Sequence, residues 1–173
     1  MELLGDFKTL LRWFRAADLL SARDAAKLER QWGGSTQARH IVENVRELRE
    51  RLRKEVLAWE NGGTVHRSTA ERLNELMASH PMLTRLITNR GASASELWFD
   101  ARQPEHLLAP LAYSAAMLFA TADRSRVRKC DQCVLHFHDA SKKGTRRWCS
   151  MQLCGNRLKV AAYAARRRVQ AHE

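Results

Sequence analysis

The first 129 residues contain no cysteine, and no apolar run in the 173-residue chain is long enough to cross a bilayer. The longest run, residues 107–122, contains Pro110 and falls short of the roughly 20 apolar residues that a spanning helix needs. The first residues also lack the cationic leader, apolar block and cleavage site of a secretory signal. We therefore expect a protein of the cytoplasm without a membrane partner, in which residues 107–122 form a buried helix.

The motifs of common catalytic sites are also missing from residues 1–123. This region has no nucleophile–base pairing, no paired carboxylate motif and no glycine-rich phosphate loop. Its histidines are scattered along the sequence, at His40, His66, His80 and His106. The sequence therefore predicts that the protein is not an enzyme.

Charge of one sign is concentrated at the C-terminal end. Residues 1–123 carry 17 Lys and Arg against 16 Asp and Glu, a balance of +1, whereas residues 124–173 carry 13 against 3, a balance of +10. Such an asymmetry indicates that the basic segment meets a polyanion, most often nucleic acid. The alternative that charge alone leaves open is a solubilising tail.

All four cysteines lie inside this basic segment. Cys130 and Cys133 form a C-x2-C pair, and Cys149 and Cys154 form a C-x4-C pair after fifteen intervening residues. Two short-spaced pairs allow four thiolates to converge on one tetrahedral ion, so the spacing predicts one structural Zn²⁺. Two disulfides and an iron–sulfur cluster are the alternatives. Because four thiolates leave no open position for water or substrate, we expect no catalysis at this metal.

The residues around the cysteines predict a small zinc-binding fold. Residues 134–138 are expected to form one strand of a hairpin and residues 145–148 the returning strand, with a turn between them. Asn156 is a suitable N-cap for a final helix over residues 157–170, which contain no Gly or Pro. A cysteine pair, a hairpin and a ligand-bearing helix follow one another in the order of a treble-clef-like finger.

The cations of the basic segment are the candidate nucleic-acid contacts. The final helix is expected to place polar residues about a third of a turn from its apolar stripe, where Arg and Gln can reach phosphates and base edges. The alternative is that Arg166, Arg167 and Arg168 only complement the negative end of the helix dipole. The candidates are Arg126, Arg128, Lys142, Lys143, Arg146, Arg147, Arg157, Lys159, Tyr163, Arg166, Arg167 and Gln170.

Four short motifs in this segment agree with those of one family. They are Arg128-x-Cys130-x-x-Cys133, Phe137-x-Asp139-x-Ser141, Arg146-Arg147-Trp148-Cys149-Ser150-Met151 and Cys154-Gly155-Asn156-Arg157. Residues 124–170 therefore resemble the CGNR zinc finger. The resemblance implies that the four cysteines bind zinc, that the finger binds DNA, and that an ABATE-type domain of stress-induced transcription regulators precedes it.

Helical patterns dominate residues 1–123. A first amphipathic helix is predicted from Phe7 onward, and Ser21 is expected to cap a second. Ser35 or Thr36 is expected to cap a long helix that ends at Glu60. Its apolar stripe favours packing within the domain, with a dimer seam as the alternative. The stripe consists of Ile41, Val45, Leu48, Leu52, Val56 and Trp59.

The rest of this region is expected to hold two helices and a hairpin. Ser68 is expected to cap the first of these helices, and Pro110 to kink or restart the second. The order resembles the ABATE domain, although the chain begins downstream of the position at which related proteins carry a strand with an Asp-Phe-x-Asn-Thr-like motif. The predicted ranges are 68–77 and 104–122 for the helices, and 83–88 and 96–99 for the strands of the hairpin.

The sequence thus predicts a mainly α protein with small β-hairpins. A helical, ABATE-like regulatory or dimerisation domain is expected over residues 1–123, without the family's first strand, and a basic, treble-clef-like four-cysteine zinc finger over residues 124–173. The expected function is DNA-binding transcription regulation, and a homodimer is one expected arrangement. The alternatives are an RNA-binding or ribosome-associated module and a protein-interaction adaptor.

Overall fold

The chain forms two compact units, Met1–Ala120 and Thr121–Glu173. A computed structural model of the chain describes residues 2, 4–89, 91–156, 160 and 167. The fold is mainly helical with two small antiparallel hairpins, as the sequence predicts. Among the described residues, no helix combines the length and the apolar character that crossing a membrane would require.

The first unit is built from helices with one hairpin inserted between the fourth and the fifth. A short 3-10 turn, Pro104–Leu107, leads directly into the fifth helix. The helices are α1 (Phe7–Ala16), α2 (Ala22–Trp32), α3 (Thr36–Glu60), α4 (Arg67–Ser79) and α5 (Leu108–Thr121), and the strands are β1 (Leu83–Asn89) and β2 (Ala92–Trp98).

One hydrophobic core holds these helices together. α1 contributes Phe14, which is fully buried, and α3 contributes the first half of its apolar stripe. Burial of each large apolar side chain stabilises the fold by roughly 1.5–3 kcal/mol. The prediction that the stripe packs within its own domain is confirmed for its buried members, Ile41, Val45, Leu48 and Trp59, while Leu52 and Val56 are half-buried.

Side-chain caps begin the first three helices. Asp6 accepts a hydrogen bond from the Thr9 N–H, Ser21 from Asp24 and Ser35 from Ala38. Each bond satisfies one of the N–H groups that a helix leaves open at its first turn. The predicted caps at Ser21 and Ser35 are therefore confirmed.

The predicted cap at Ser68 is wrong. α4 begins one residue earlier, at Arg67, and His66 in the N-cap position makes no side-chain cap bond. A buried carboxylate from α3 takes over this role, because Glu55 accepts hydrogen bonds from the His66 N–H at 3.1 Å and from the Thr69 hydroxyl at 2.6 Å.

Proline and glycine explain the shape of the chain around the hairpin. The chain restarts as a helix at Leu108 rather than at Pro110, which lies in the first turn of α5, where a missing N–H leaves no helical bond unmade. In the hairpin, Asn89 pairs with Ala92 and Gly91 has a φ of 83°, a left-handed conformation that glycine adopts without strain. The second strand begins at Ala92, four residues before the predicted start.

The second unit contains short elements. After a 3-10 turn at Arg124–Arg126, strand β3 (Val127–Lys129) pairs antiparallel with β4 (His136–His138), and one π-helical turn follows at Met151–Gly155.

The predicted partner of the strand at 134–138 is therefore wrong. Residues 145–148 form no strand, because their backbone groups bond elsewhere: the Arg146 N–H donates to the Asp139 carboxylate, and the Arg147 carbonyl accepts from the Asp131 N–H. The segment before the first cysteine, which the sequence offered only as a source of cations, supplies the pairing strand instead.

Candidate metal centre

The second unit brings all four cysteines together. Cys130 directly follows β3, Cys133 lies in the turn after it, Cys149 precedes the π turn and Cys154 lies within that turn. Their four sulfur atoms lie within 4.8 Å of one another. Two pairs that are far apart in the sequence thus form one cluster.

The spacing of the sulfur atoms fits a shared metal ion. The Cys149 Sγ lies 3.7 Å from Cys133 Sγ and 3.6 Å from Cys154 Sγ. Four sulfurs bound to one tetrahedral zinc at about 2.3 Å lie about 3.8 Å from one another. A disulfide requires about 2.05 Å, and all four cysteines are free thiols. The donor set and its geometry therefore fit a zinc-binding site.

The protein environment treats the four thiols unequally. Burial opposes ionisation of Cys130, but backbone N–H groups of Cys149, Gln132 and Cys133 outweigh it and lower the pKa of this thiol to about 6. Burial raises the pKa of Cys149 to about 12, and the hydrogen bond with Cys154 adds to that rise. A bound dication would favour the thiolate form of all four cysteines, because its positive charge stabilises thiolates.

Two side chains pack closely against the backbone next to Cys154. A Cβ on Gly155 would lie 2.4 Å from Met151 Sδ and 3.4 Å from Trp148 Cε3, so the position has no room for a side chain without a shift of its neighbours. Glycine next to Cys154 therefore leaves room for the Met151 side chain, which packs over this position.

The start of this helical turn differs from the prediction. Ser150 is the N-cap, because its hydroxyl accepts from the Leu153 N–H at 3.2 Å. Asn156 already has helical angles, φ −67° and ψ −36°, so it lies inside the helical path rather than capping it. The predicted cap at Asn156 is wrong, because the chain turns helical five residues earlier.

A buried carboxylate organises the loop between Cys133 and Cys149. Asp139 is fully buried, and it accepts hydrogen bonds from the N–H groups of Ser141 at 2.9 Å and of Arg146 at 2.8 Å. Hydrogen bonds from Ser141 and Arg146, with the charge of Arg128 3.9 Å away, lower the pKa of Asp139 to about 2. The carboxylate is therefore ionised at neutral pH, and its two oxygens hold the two ends of the turn, at Ser141 and at Arg146.

Two of the candidate arginines have their guanidinium groups engaged by backbone carbonyls of the same unit. Arg126 donates to the carbonyls of Asp139 at 3.2 Å and Ser141 at 2.7 Å. Arg146 donates to the Trp148 carbonyl at 2.9 Å, and its guanidinium lies 5.4 Å from the Phe137 ring centroid. These two side chains hold the fold of the unit together.

Arg128 and Arg147 are paired with acids. Arg128 Nε lies 3.9 Å from the Asp139 carboxylate, and Arg147 Nε donates to Asp131 at 2.7 Å. The Arg147 guanidinium also lies 5.4 Å from the Trp148 ring centroid.

Lys142 and Lys143 differ from these arginines. Both are exposed at the tip of the turn between Ser141 and Gly144, and neither has a hydrogen-bond or ion-pair partner within the described part of the chain. Gly144 has a φ of 61° and donates its N–H to the Ser141 carbonyl, which closes the turn and directs the two lysines outward as neighbours.

The remaining candidates belong to the final segment. Arg167 is exposed. Arg157, Lys159, Tyr163, Arg166 and Gln170 lie outside the described residues.

Two family matches divide the chain in the order that its motifs predict. Residues 126–167 match the CGNR zinc finger, and residues 1–122 match ABATE, a family described as "Putative stress-induced transcription regulator". The second match covers more than half of the chain. The chain belongs to the ABATE family. No curated protein matches it.

In this ABATE family member, the CGNR match spans all four clustered cysteines and the buried Asp139. One matching family is described as a regulator and the other as a zinc finger, and neither is an enzyme family.

Sequence reasoning missed the structural role of Asp139. The signal was present, because Asp-x-Ser followed by Gly144 is the composition of a turn in which an Asp side chain accepts from the backbone two residues on. The contact with Arg146, seven residues away, had no such signal.

Proposed function

We propose that this ABATE family protein is a DNA-binding transcription regulator whose basic C-terminal unit folds around one structural Zn²⁺. Cys130, Cys133, Cys149 and Cys154 hold the ion. The description of the family, the sulfur cluster and the excess of cations in residues 124–173 support the proposal.

The proposed role of the metal is structural. Four thiolates close the coordination shell, and a bound zinc supplies folding free energy, on the order of 10 kcal/mol in zinc-finger peptides. Among its described residues, the unit has few buried apolar side chains, Val127 among them, so we expect the metal to decide whether it folds.

The observation that supports DNA binding is that the cations of the unit fall into two groups, one bonded within the unit and one exposed to solvent. Arg126, Arg128, Arg146 and Arg147 are engaged within the unit, whereas the neighbouring Lys142 and Lys143 face solvent from a turn that Asp139 holds in place. Two solvated ammonium groups on neighbouring residues of a turn suit phosphate neutralisation, which releases counterions from DNA. We assign the phosphate contacts first to these two lysines.

The salt dependence of binding tests this assignment. The affinity of the zinc-loaded full chain for duplex DNA is measured by fluorescence anisotropy over a range of salt concentrations. The slope of log K against log salt is negative, and each lost phosphate contact makes it less steep by about 0.9. The slope of the K142A/K143A variant should therefore be smaller in magnitude by about 1.8. The matched control, K27A/K54A, removes two exposed lysines of the first unit and should leave the slope unchanged. Equal slopes for the wild type and both variants would show that Lys142 and Lys143 do not contact the DNA phosphates.

Selection from a random duplex pool at near-physiological salt tests whether the protein reads sequence. Electrostatic binding weakens steeply there, so only base contacts enrich a motif. We assign the base contacts, from the sequence alone, to Arg157, Lys159, Tyr163, Arg166, Arg167 and Gln170. R166A should weaken binding with the zinc content unchanged. RNA that displaces duplex DNA would favour an RNA-binding module, and binding to neither would favour a protein adaptor.

A further inference from the structure

The hairpin of the first unit has open edges. β1 pairs only with β2 among the described residues, and no backbone hydrogen bond reaches the outer edge of either strand. In an antiparallel pair, every second residue directs its N–H and C=O away from the partner. Both strands are seven residues long, so each edge presents a row of unpaired backbone groups.

These edges lack the features that protect free strands. Natural edges carry proline, bulges or unpaired charges, especially lysine. Here the register runs without a bulge from Leu83 opposite Trp98 to Asn89 opposite Ala92. The only charged side chains of the two strands, Arg85 and Glu96, lie opposite each other and form an ion pair at 3.1 Å. The charges cancel within the hairpin, so no net charge opposes the approach of another strand.

The β1 edge is also the more apolar of the two. Its exposed fractions are 56% for Leu83, 73% for Leu86 and 42% for Ile87, whereas β2 exposes one large apolar side chain, Leu97, at 40%. A partner strand on β1 therefore covers more apolar surface than a partner strand on β2.

We propose that β1 pairs antiparallel with β1 of a second copy of this chain, around a twofold axis at Leu86. This register overlaps all seven residues of both strands. It places Leu86 opposite Leu86 of the second copy, Thr84 opposite Thr88, and Arg85 opposite Ile87, so no like charges lie directly opposite each other. The two hairpins then form one four-stranded sheet, which is more stable than an isolated two-stranded hairpin.

Analytical ultracentrifugation of the zinc-loaded full chain tests the proposal. The wild type should dimerise, and L86K should raise the dimer dissociation constant by about tenfold or more, because it adds a charge at the centre of the pairing edge. S95K is the matched control, since Ser95 is the β2 residue directly opposite Leu86 and belongs to the other edge. It should leave the dissociation constant unchanged. A wild type that stays monomeric, or an effect of S95K equal to that of L86K, would overturn the proposal.

Cross-linking identifies the residue at the axis. L86C should form a disulfide-linked dimer in air, because opposite Cα atoms in antiparallel strands lie within the range that a disulfide bridges. Leu97 lies on the same sheet face as Leu86 but on β2, so the L97C variant is the control. It should run as a monomer in non-reducing electrophoresis. Zinc content is measured in parallel, because a disulfide between the native cysteines of two chains would release the metal. Such an unwanted cross-link is then recognised by the loss of zinc. Linkage through L97C but not through L86C would contradict the proposal. Dimerisation is read without DNA, so its outcome is independent of the proposed DNA binding.

Discussion

Two carboxylates lie in the interior of their units, and hydrogen-bond donors surround each of them. Asp139 accepts from two backbone N–H groups, and Glu55 accepts from the His66 N–H and the Thr69 hydroxyl. A buried carboxylate is costly unless it is hydrogen-bonded, so these donors explain how both carboxylates are accommodated in the interior.

Glu55 gives the first unit a defined pH dependence. Burial raises the pKa of Glu55, but the hydrogen bonds from Thr69 and His66 outweigh it and lower the pKa below its ordinary value of 4.5. The folded state therefore binds this proton less readily than the unfolded state. The contribution of Glu55 to stability is complete above about pH 4.5 and is lost as the pH falls through the lower folded pKa.

The variant E55Q tests this role. It should lower the free energy of unfolding near pH 7 by about 1–3 kcal/mol, because it removes a charged acceptor from buried donors. Its difference from the wild type should shrink below pH 4.5. Unfolding is followed by circular dichroism between pH 3 and 7, and E47Q, at an exposed glutamate of the same helix, is the control. A difference from the wild type that does not change with pH would show that the Glu55 charge does not stabilise the unit.

Residue patterns predict the clustering of the four cysteines better than they predict buried polar contacts. The four cysteines were predicted from their spacing, since short loops bring paired thiols together whatever surrounds them. In the sequence, nothing distinguishes Glu55 from the other charged residues of α3. It is buried because the start of α4 folds back over it, and no local pattern in α3 contains that information.

Helix ends show how local chemistry sets the elements. Ser35 caps α3, whereas Ser68 follows the first residue of α4 and is exposed. We expect S35A to lower the free energy of unfolding by about 1 kcal/mol, the usual cost of a lost N-cap. S68A should change it by less than about 0.5 kcal/mol, as surface substitutions usually do. Urea denaturation measures both, and equal losses would show that the cap bond of Ser35 carries no stability.

Strand pairing was the weakest part of the sequence prediction at this scale. Helix α3 was predicted to its last residue because its apolar positions repeat over about five turns and Asn61-Gly62-Gly63 follows. The strand at 136–138 was predicted, but its partner was placed after it instead of before it. Each pairing strand has only three residues, and Asp139 redirects the chain that follows. Three residues carry too little pattern to choose a partner.

At the scale of the whole molecule, the division into two units separates two sources of stability. The first unit has one continuous hydrophobic core, whereas the described part of the second has the cysteine cluster and few buried apolar residues. Removal of zinc should therefore unfold the second unit and leave the helices of the first intact.

Chelation of the full chain tests this separation. We expect most of the helical circular dichroism signal to remain, while limited proteolysis cuts within residues 124–156, because the proposed zinc no longer supplies the folding free energy of this segment. Addition of zinc under reducing conditions should restore protection. The variant C149A should behave like the chelated wild type without any chelator. Loss of the whole helical signal would show that the two units unfold together.

The corner between α3 and α4 also bears on how the chain folds during synthesis. Glu55 meets His66 and Thr69 across 11 and 14 positions, and chain closure over about ten residues takes about 10–100 ns, far less than the time needed to add one residue. The contact becomes available once α4 has left the ribosome. The two helices can then hold each other in place before residues 104–121, which complete the core, have emerged from the ribosome.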